Sequence, residues 1–135
     1  MSKVIVYGTL KKGGRLHRYM RDSKFIVDVA VTGYKMYDSG FGYPFIAKGD
    51  KHKDSVWGEK YEVSDDTLKM LDMVEGVDSG LFKRVDLKDE KDWSDSRDST
   101  YIYVGDEYLK SVSDAEEVKS GRWKVGEELF GTFKR

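Results

Sequence analysis

The chain has 135 residues, 24 basic and 25 acidic, giving a formal net charge of −1, with no cysteine and two histidines, His17 and His52. That length suits one domain with a sizeable hydrophobic core. The lack of cysteine excludes disulfides, thiolate nucleophiles and Cys-ligated zinc. The balanced charge gives no nucleic-acid footprint, and no apolar run approaches the roughly 20 residues of a membrane span. Met1-Ser2-Lys3 leads directly into an apolar run, so the expectation is a cytoplasmic protein without a signal peptide.

Val4-Ile5-Val6-Tyr7 is a β-branched and aromatic run that predicts a buried strand. It stops at Gly8 and opens into Thr9-Leu10-Lys11-Lys12-Gly13-Gly14. A strand running into a glycine-bearing loop presents backbone N–H groups that can cradle an anion or a carbonyl oxygen. Leu16–Arg21 is read as one or two helical turns. Phe25–Tyr37 reads as strand, with a bulge or bend at Gly33. Asp38-Ser39-Gly40-Phe41-Gly42 is a turn, and Tyr43–Ala47 an edge or irregular strand because Pro44 lacks a donor.

Gly49–Ser55 is read as a solvated hairpin connection. Val56–Val63 alternates, with Trp57, Glu59, Tyr61 and Val63 on one face. Ser64 is an N-cap ahead of Asp65 and Asp66, and the helix it opens runs to Glu75, where Gly76 is the natural stop. Leu81–Leu87 is a strand, Lys88–Thr100 a long charged loop, and Thr100–Val104 a short strand closing the sheet. Ala115–Lys119 reads as a helical turn, and Trp123 with Leu129–Phe133 as an apolar C-terminal strap. The pattern is α+β: a small mixed β-barrel, closed or half-closed, with short flanking helices, in one domain over residues 1–135. Trp93, Trp123 and Phe130 leave both a monomer and a homodimer open.

Two glutamates sit where apolar residues are expected. Glu59 shares a strand face with Trp57 and Tyr61. On the helix, Leu68, Leu71 and Glu75 fall within about 60° of one another, with Met70, Met73 and Val74 extending the apolar arc. Burial and the helix C-terminus would both raise the pKa of Glu75 towards the range useful for proton transfer. The helix by itself leaves two readings open, this one and a last-turn carboxylate reaching water.

Gly8 to Gly13 superficially resembles a phosphate-binding loop but lacks its Lys-Ser/Thr pair, and the histidines show no zinc-binding spacing. What remains is an amide loop and one carboxylate, a combination suited to acyl chemistry in which one group moves a proton and amides hold an oxygen.

Val6-Tyr7-Gly8-Thr9-Leu10-Lys11-Lys12-Gly13 resembles the YGTL/YGSL loop of the γ-glutamylcyclotransferase-like superfamily, which includes γ-glutamylamine cyclotransferases and AIG2-like proteins. Further stretches agree in order. Tyr43-Pro44 resembles the family's Tyr-Pro element, and Val56–Val63 its v-x-G-E-x-Y-x-V strand. Leu71-Asp72-Met73-Val74-Glu75-Gly76 resembles its L-D-x-x-E-g helix end, Phe82-Lys83-Arg84 its Y-x-R, and Tyr101–Val104 its closing strand. The resemblance spans about residues 3–104 and leaves 105–135 as a C-terminal strap. Phe82 stands where the family usually has tyrosine.

The resemblance implies a cavity at one end of a small barrel, walled by Tyr7, Gly8, Thr9 and Leu10, with Glu75 projecting into it and Tyr43, Phe82 and Arg84 as further substrate contacts. It implies a cyclotransferase that releases 5-oxoproline and a free amine from a γ-glutamyl-amine or γ-glutamyl-amino acid by intramolecular aminolysis. Glu75 is the implied general acid/base, and no metal or cofactor is implied. A second reading is a non-catalytic module that uses the same cavity to bind a small anionic ligand or a protein partner. It is motivated by Phe82, the basic rim of Lys11, Lys12 and Arg15, and the charged loop. Neither reading involves nucleic acid or a membrane.

Overall fold

The computed structural model describes residues 2–89, 99–112 and 114–125. A five-stranded sheet has the order β2-β5-β1-β7-β6, built from β1 (Ser2–Val6), β2 (Lys24–Thr32), β5 (Ser55–Val63), β6 (Lys83–Asp86) and β7 (Thr100–Val104). A three-stranded sheet has the order β4-β3-β8, from β3 (Tyr34–Asp38), β4 (Pro44–Lys48) and β8 (Glu116–Val118). Helices α1 (Asp65–Val74) and α2 (Asp106–Ser111) and short 3₁₀ turns, including His17–Met20, complete the α+β architecture.

β1 lies at the centre of its sheet, antiparallel to β5 and parallel to β7. Its apolar run Val4–Val6 follows, because both faces of that part of the strand are covered. Ile5 and Tyr7 face the core between the two sheets, with Val31, Met36, Ile46, Val56, Ile102 and Trp123. Val4 and Val6 face a second core under α1 and the first 3₁₀ turn, with Leu10, Met20, Tyr61, Val63, Leu68, Leu71 and Tyr103. Leu71 is fully buried there, a contribution on the order of 2–3 kcal/mol from apolar transfer.

The run from Phe25 to Tyr37 is two strands rather than one. Gly33, at φ +91°, turns the chain out of the larger sheet into the smaller one, and this backbone conformation favours glycine because it has no Cβ. The corner is held by the Gly33 amide donating to Asp54 O at 2.9 Å and the Gly49 amide to Gly33 O at 2.8 Å. The Gly49–Asp54 connection is consequently a crossing between sheets, since β4 pairs with β3 and β5 with β1 and β2. β4 is an edge strand, as Pro44 requires.

Three further elements differ from the sequence reading. β7 lies inside its sheet, between β1 and β6, and does not close it. Ala115–Lys119 contains a strand, because Glu116–Val118 pairs with β3, and that pairing overrides a local preference for helix. Helix α2 follows β7, where no helix was expected. The predicted Ser64 cap is present, with its Oγ accepting from the Thr67 amide at 3.1 Å. Trp123 is buried in the core. Trp93, Phe130, most of the charged loop and the strap at Leu129–Phe133 lie outside the described residues.

Candidate active site

A cavity of about 340 Å³ opens where β1 ends, within the size range of small-molecule sites. Tyr7, Gly8, Thr9, Leu10, Tyr43, Glu75 and Phe82 all line it, with Arg15, Pro44 and Tyr103. Seven of the eight residues expected from sequence are thus brought together. The exception is Arg84, which is not in the lining. Its Nη1 donates to Asp72 Oδ2 at 3.0 Å and its guanidinium lies 4.7 Å from the centre of the Tyr101 ring.

The loop wall follows from β1. Tyr7 is buried and its hydroxyl donates to the Tyr103 carbonyl at 2.8 Å, which ties the strand end to β7. Gly8 then passes beneath Pro44. A Cβ at that position would lie 2.6 Å from Pro44 Cγ, so only glycine allows this approach. Turns fold the rest of the loop back: the Lys11 amide donates to Gly8 O at 3.0 Å and the Leu16 amide to Thr9 O at 3.0 Å. Among the described residues, the amides of Gly8, Thr9 and Leu10 have no protein acceptor. Thr9 and Leu10 are buried, and buried amides are almost always paired. These three donors are available to a ligand.

The opposite wall is the end of α1. Glu75 caps the helix with its amide bonded to Leu71 O at 2.8 Å, and Gly76 follows in the left-handed region. The Glu75 carboxylate makes no hydrogen bond or ion pair with any described residue. Burial pushes its pKa up from 4.5 to about 7. Desolvation is the cause, because removing water disfavours the charged form. The carboxylate in turn acts on the tyrosines around it. Tyr7 is raised well above its ordinary value and Tyr43 to about 12, each mainly by burial, with the Glu75 charge adding in the same direction.

The apolar arc on α1 is narrower than its sequence suggests. Leu68 and Leu71 are buried, but Met70 is partly exposed and Met73 is 78% exposed. Glu59 lies outside this cavity. It accepts from the Lys12 amide at 2.8 Å and from the Tyr61 hydroxyl at 2.9 Å, which anchors the far side of the cradle loop.

Two neighbours of the site carried no functional reading in the sequence. Tyr103 lines the cavity and donates to Asp72 Oδ1 at 2.7 Å. Tyr108, on the unexpected helix α2, bonds the Tyr43 hydroxyl at 2.7 Å and packs against Phe82 with ring centres 5.0 Å apart. The spacing of Asp72 to Glu75, three residues on one helix, was the available signal for the first. Nothing local announced the second. Among the described residues no group of three or more His, Cys, Asp or Glu side chains is arranged to hold a metal ion.

A protein-family model described as γ-glutamyl cyclotransferase, AIG2-like, matches residues 4–125. The chain belongs to this family. A γ-L-glutamyl-butirosin B γ-glutamyl cyclotransferase from Niallia circulans is 33% identical over 116 residues, covering 82% of this chain and 72% of that protein. A Pyrococcus horikoshii protein is 36% identical over 74 residues, 54% of this chain and 59% of its own length. Its crystal structure, described as that of an uncharacterised protein, matches 99% of this chain and 97% of its own with a TM-score of 0.69, at 23% identity. The crystal structure of an AIG2-like protein from Mus musculus matches with a TM-score of 0.64 at 27% identity, over 80% of this chain and 79% of that one. Among the described residues, no helix is long and apolar enough to cross a membrane.

Proposed function

We propose that this protein releases 5-oxoproline and a free amine from a γ-glutamyl-amine or γ-glutamyl-amino acid. One observation carries the reading: the Glu75 carboxyl and the amides of Gly8, Thr9 and Leu10, none of them paired among the described residues, line a single cavity. The reaction needs both. Glu75 takes a proton from the substrate α-ammonium, and the freed amine attacks the γ-carbonyl carbon. A carbon–nitrogen bond forms, closing a five-membered ring, and the carbonyl oxygen becomes an oxyanion held by the loop amides. Glu75 returns the proton to the departing nitrogen, the original amide bond breaks, and the ring nitrogen gives up its second proton to the departing amine, which leaves as an ammonium. No water is consumed. Because the nucleophile belongs to the substrate, much of the acceleration comes from holding the glutamyl chain in its ring-closing shape.

A pKa of about 7 suits this two-way proton transfer. Arg15 in the cavity wall supplies positive charge for the glutamyl carboxylate. The aromatic side of the cavity, with Tyr43 and Phe82, is left for the leaving group. The Niallia relative's name gives γ-L-glutamyl-butirosin B as its substrate, which supports a γ-glutamyl group attached to a larger leaving molecule. The reading places the enzyme in the cytoplasm.

The test is mass spectrometry for 5-oxoproline after incubation with γ-glutamyl-lysine and with γ-glutamyl-amino acids. Wild type should form it and Glu75→Gln should not. Equal background yields from the two would end the catalytic reading. Thermal stabilisation by a γ-glutamyl compound recovered intact would instead favour the binding module.

A further inference from the structure

The last turn of α1 has little apolar hold on the protein. Leu71 is its final fully buried residue, and Met73 projects into solvent. What fixes this turn is polar. Arg84 and Tyr103 lie directly opposite each other in the β6–β7 register, so their side chains emerge on the same face of the sheet. They converge on one carboxylate: Tyr103 donates to Asp72 Oδ1 at 2.7 Å and Arg84 to Asp72 Oδ2 at 3.0 Å. The Arg84 guanidinium itself lies over the ring of Tyr101, two residues before Tyr103 on the same strand. Asp72 and Glu75 are three residues apart and therefore neighbours on the helix surface.

We infer that Asp72 and Arg84 form a clamp that positions Glu75, and that Arg84 serves the site through this clamp without touching substrate. The inference rests on the proton-transfer role proposed for Glu75. With both Asp72 oxygens engaged by a cross-strand pair, the helix end can neither rotate nor lift. Glu75 is held half-buried in the cavity wall, with no partner of its own among the described residues. The groups that face it from the surrounding elements are Tyr7 just past β1, Tyr43 ahead of β4, Tyr103 from β7 and Arg15 from the cradle loop. Asp72 is the charged neighbour on its own helix, and its charge is offset by Arg84.

The test titrates Glu75 directly in the full chain by carbon NMR of carboxyl-labelled glutamate, with Glu75→Gln identifying the signal. The principal variant is Asp72→Asn with Arg84→Met, which removes both charges together and so leaves the local charge balance unchanged. Released from the clamp, the helix end lets Glu75 reach water, and its midpoint should fall by about one unit or more. Turnover of a γ-glutamyl-amine should fall at least tenfold in kcat with KM little changed. An unchanged midpoint in the folded variant overturns the clamp. So does a rise confined to KM, the mark of a lost substrate contact. Should that variant not fold, Arg84→Lys decides: it keeps the charge but loses the fork and the ring stacking. A smaller downward shift sustains the clamp, and a native midpoint overturns it. The titration requires no substrate. A falling midpoint in a protein that makes no 5-oxoproline would uphold the clamp while ending the cyclotransferase reading.

Discussion

Glu59, on β5, accepts hydrogen bonds from the Lys12 amide at 2.8 Å and the Tyr61 hydroxyl at 2.9 Å, whereas Glu75, at the end of α1, accepts none among the described residues. Both stand among apolar neighbours in sequence, and both border the loop that begins at Gly8, one behind it and one across the cavity from it. Donors satisfy Glu59, which fixes the loop. The desolvated Glu75 has no donor to offset the loss of water, which raises its pKa and leaves its lone pairs for a proton in transit. Similar sequence settings thus hide different tasks, and the partners decide between them.

The comparison breaks most sharply at Glu75 itself. Glu75→Gln keeps the shape but cannot carry a proton, so 5-oxoproline formation should drop about 10²–10⁴-fold, the usual reach of acid–base catalysis. A loss below tenfold would return Glu75 to a structural role like that of Glu59. In the wild type, kcat/KM should rise with pH through about 7 as Glu75 becomes able to accept the ammonium proton.

The next effect is on stability. Because the folded protein favours protonated Glu75, its stabilising contribution is complete below the ordinary value of 4.5 and is lost as pH rises through about 7. Relative to Glu75→Gln, the wild type should lose on the order of 2–3 kcal/mol between pH 5 and pH 9 in urea unfolding. Parallel pH profiles for the two proteins would show that Glu75 is hydrated. Gly8→Ala probes the wall between the two glutamates. Its new methyl meets Pro44 and should cost about 1–3 kcal/mol in the same unfolding assay. The smallest change is expected from Glu59→Ala. It strips the acceptor from two donors, each a hydrogen bond contributing about 1 kcal/mol, and loosens the cradle. KM should rise several-fold and kcat stay within about twofold, in contrast with Glu75→Gln. A collapse of kcat here would mean that Glu59 also belongs to the chemistry.

Much of this was legible before any coordinates. The β-branched run of Val4–Val6, the glycine break at Gly8, the Ser64 cap and the Gly76 stop are local signals with local causes, and each predicted its element within a residue or two. Local patterning was less informative where pairing partners are far apart. The helical reading of Ala115–Lys119 gave way to the β3–β8 ladder, and the strand through Gly33 divided between two sheets. Arg84 is the instructive case at the site. Its motif predicted a substrate contact, but its guanidinium is committed to Asp72. Asp72 presents its oxygens there only because β6 and β7 pair in a particular register beside α1.

By itself the sequence determined the family, the central strand, the amide loop and the two glutamates out of place, because these depend on residue type and short spacing. Only the tertiary structure decided that the loop amides and Glu75 share one cavity. It also decided that, among the described residues, Glu59 has donors and Glu75 has none, and that Asp72, Arg84 and Tyr103 lock together behind the site. Whether a carboxylate has a donor within 3 Å depends on residues tens of positions away, and spacing along the chain carries no record of that.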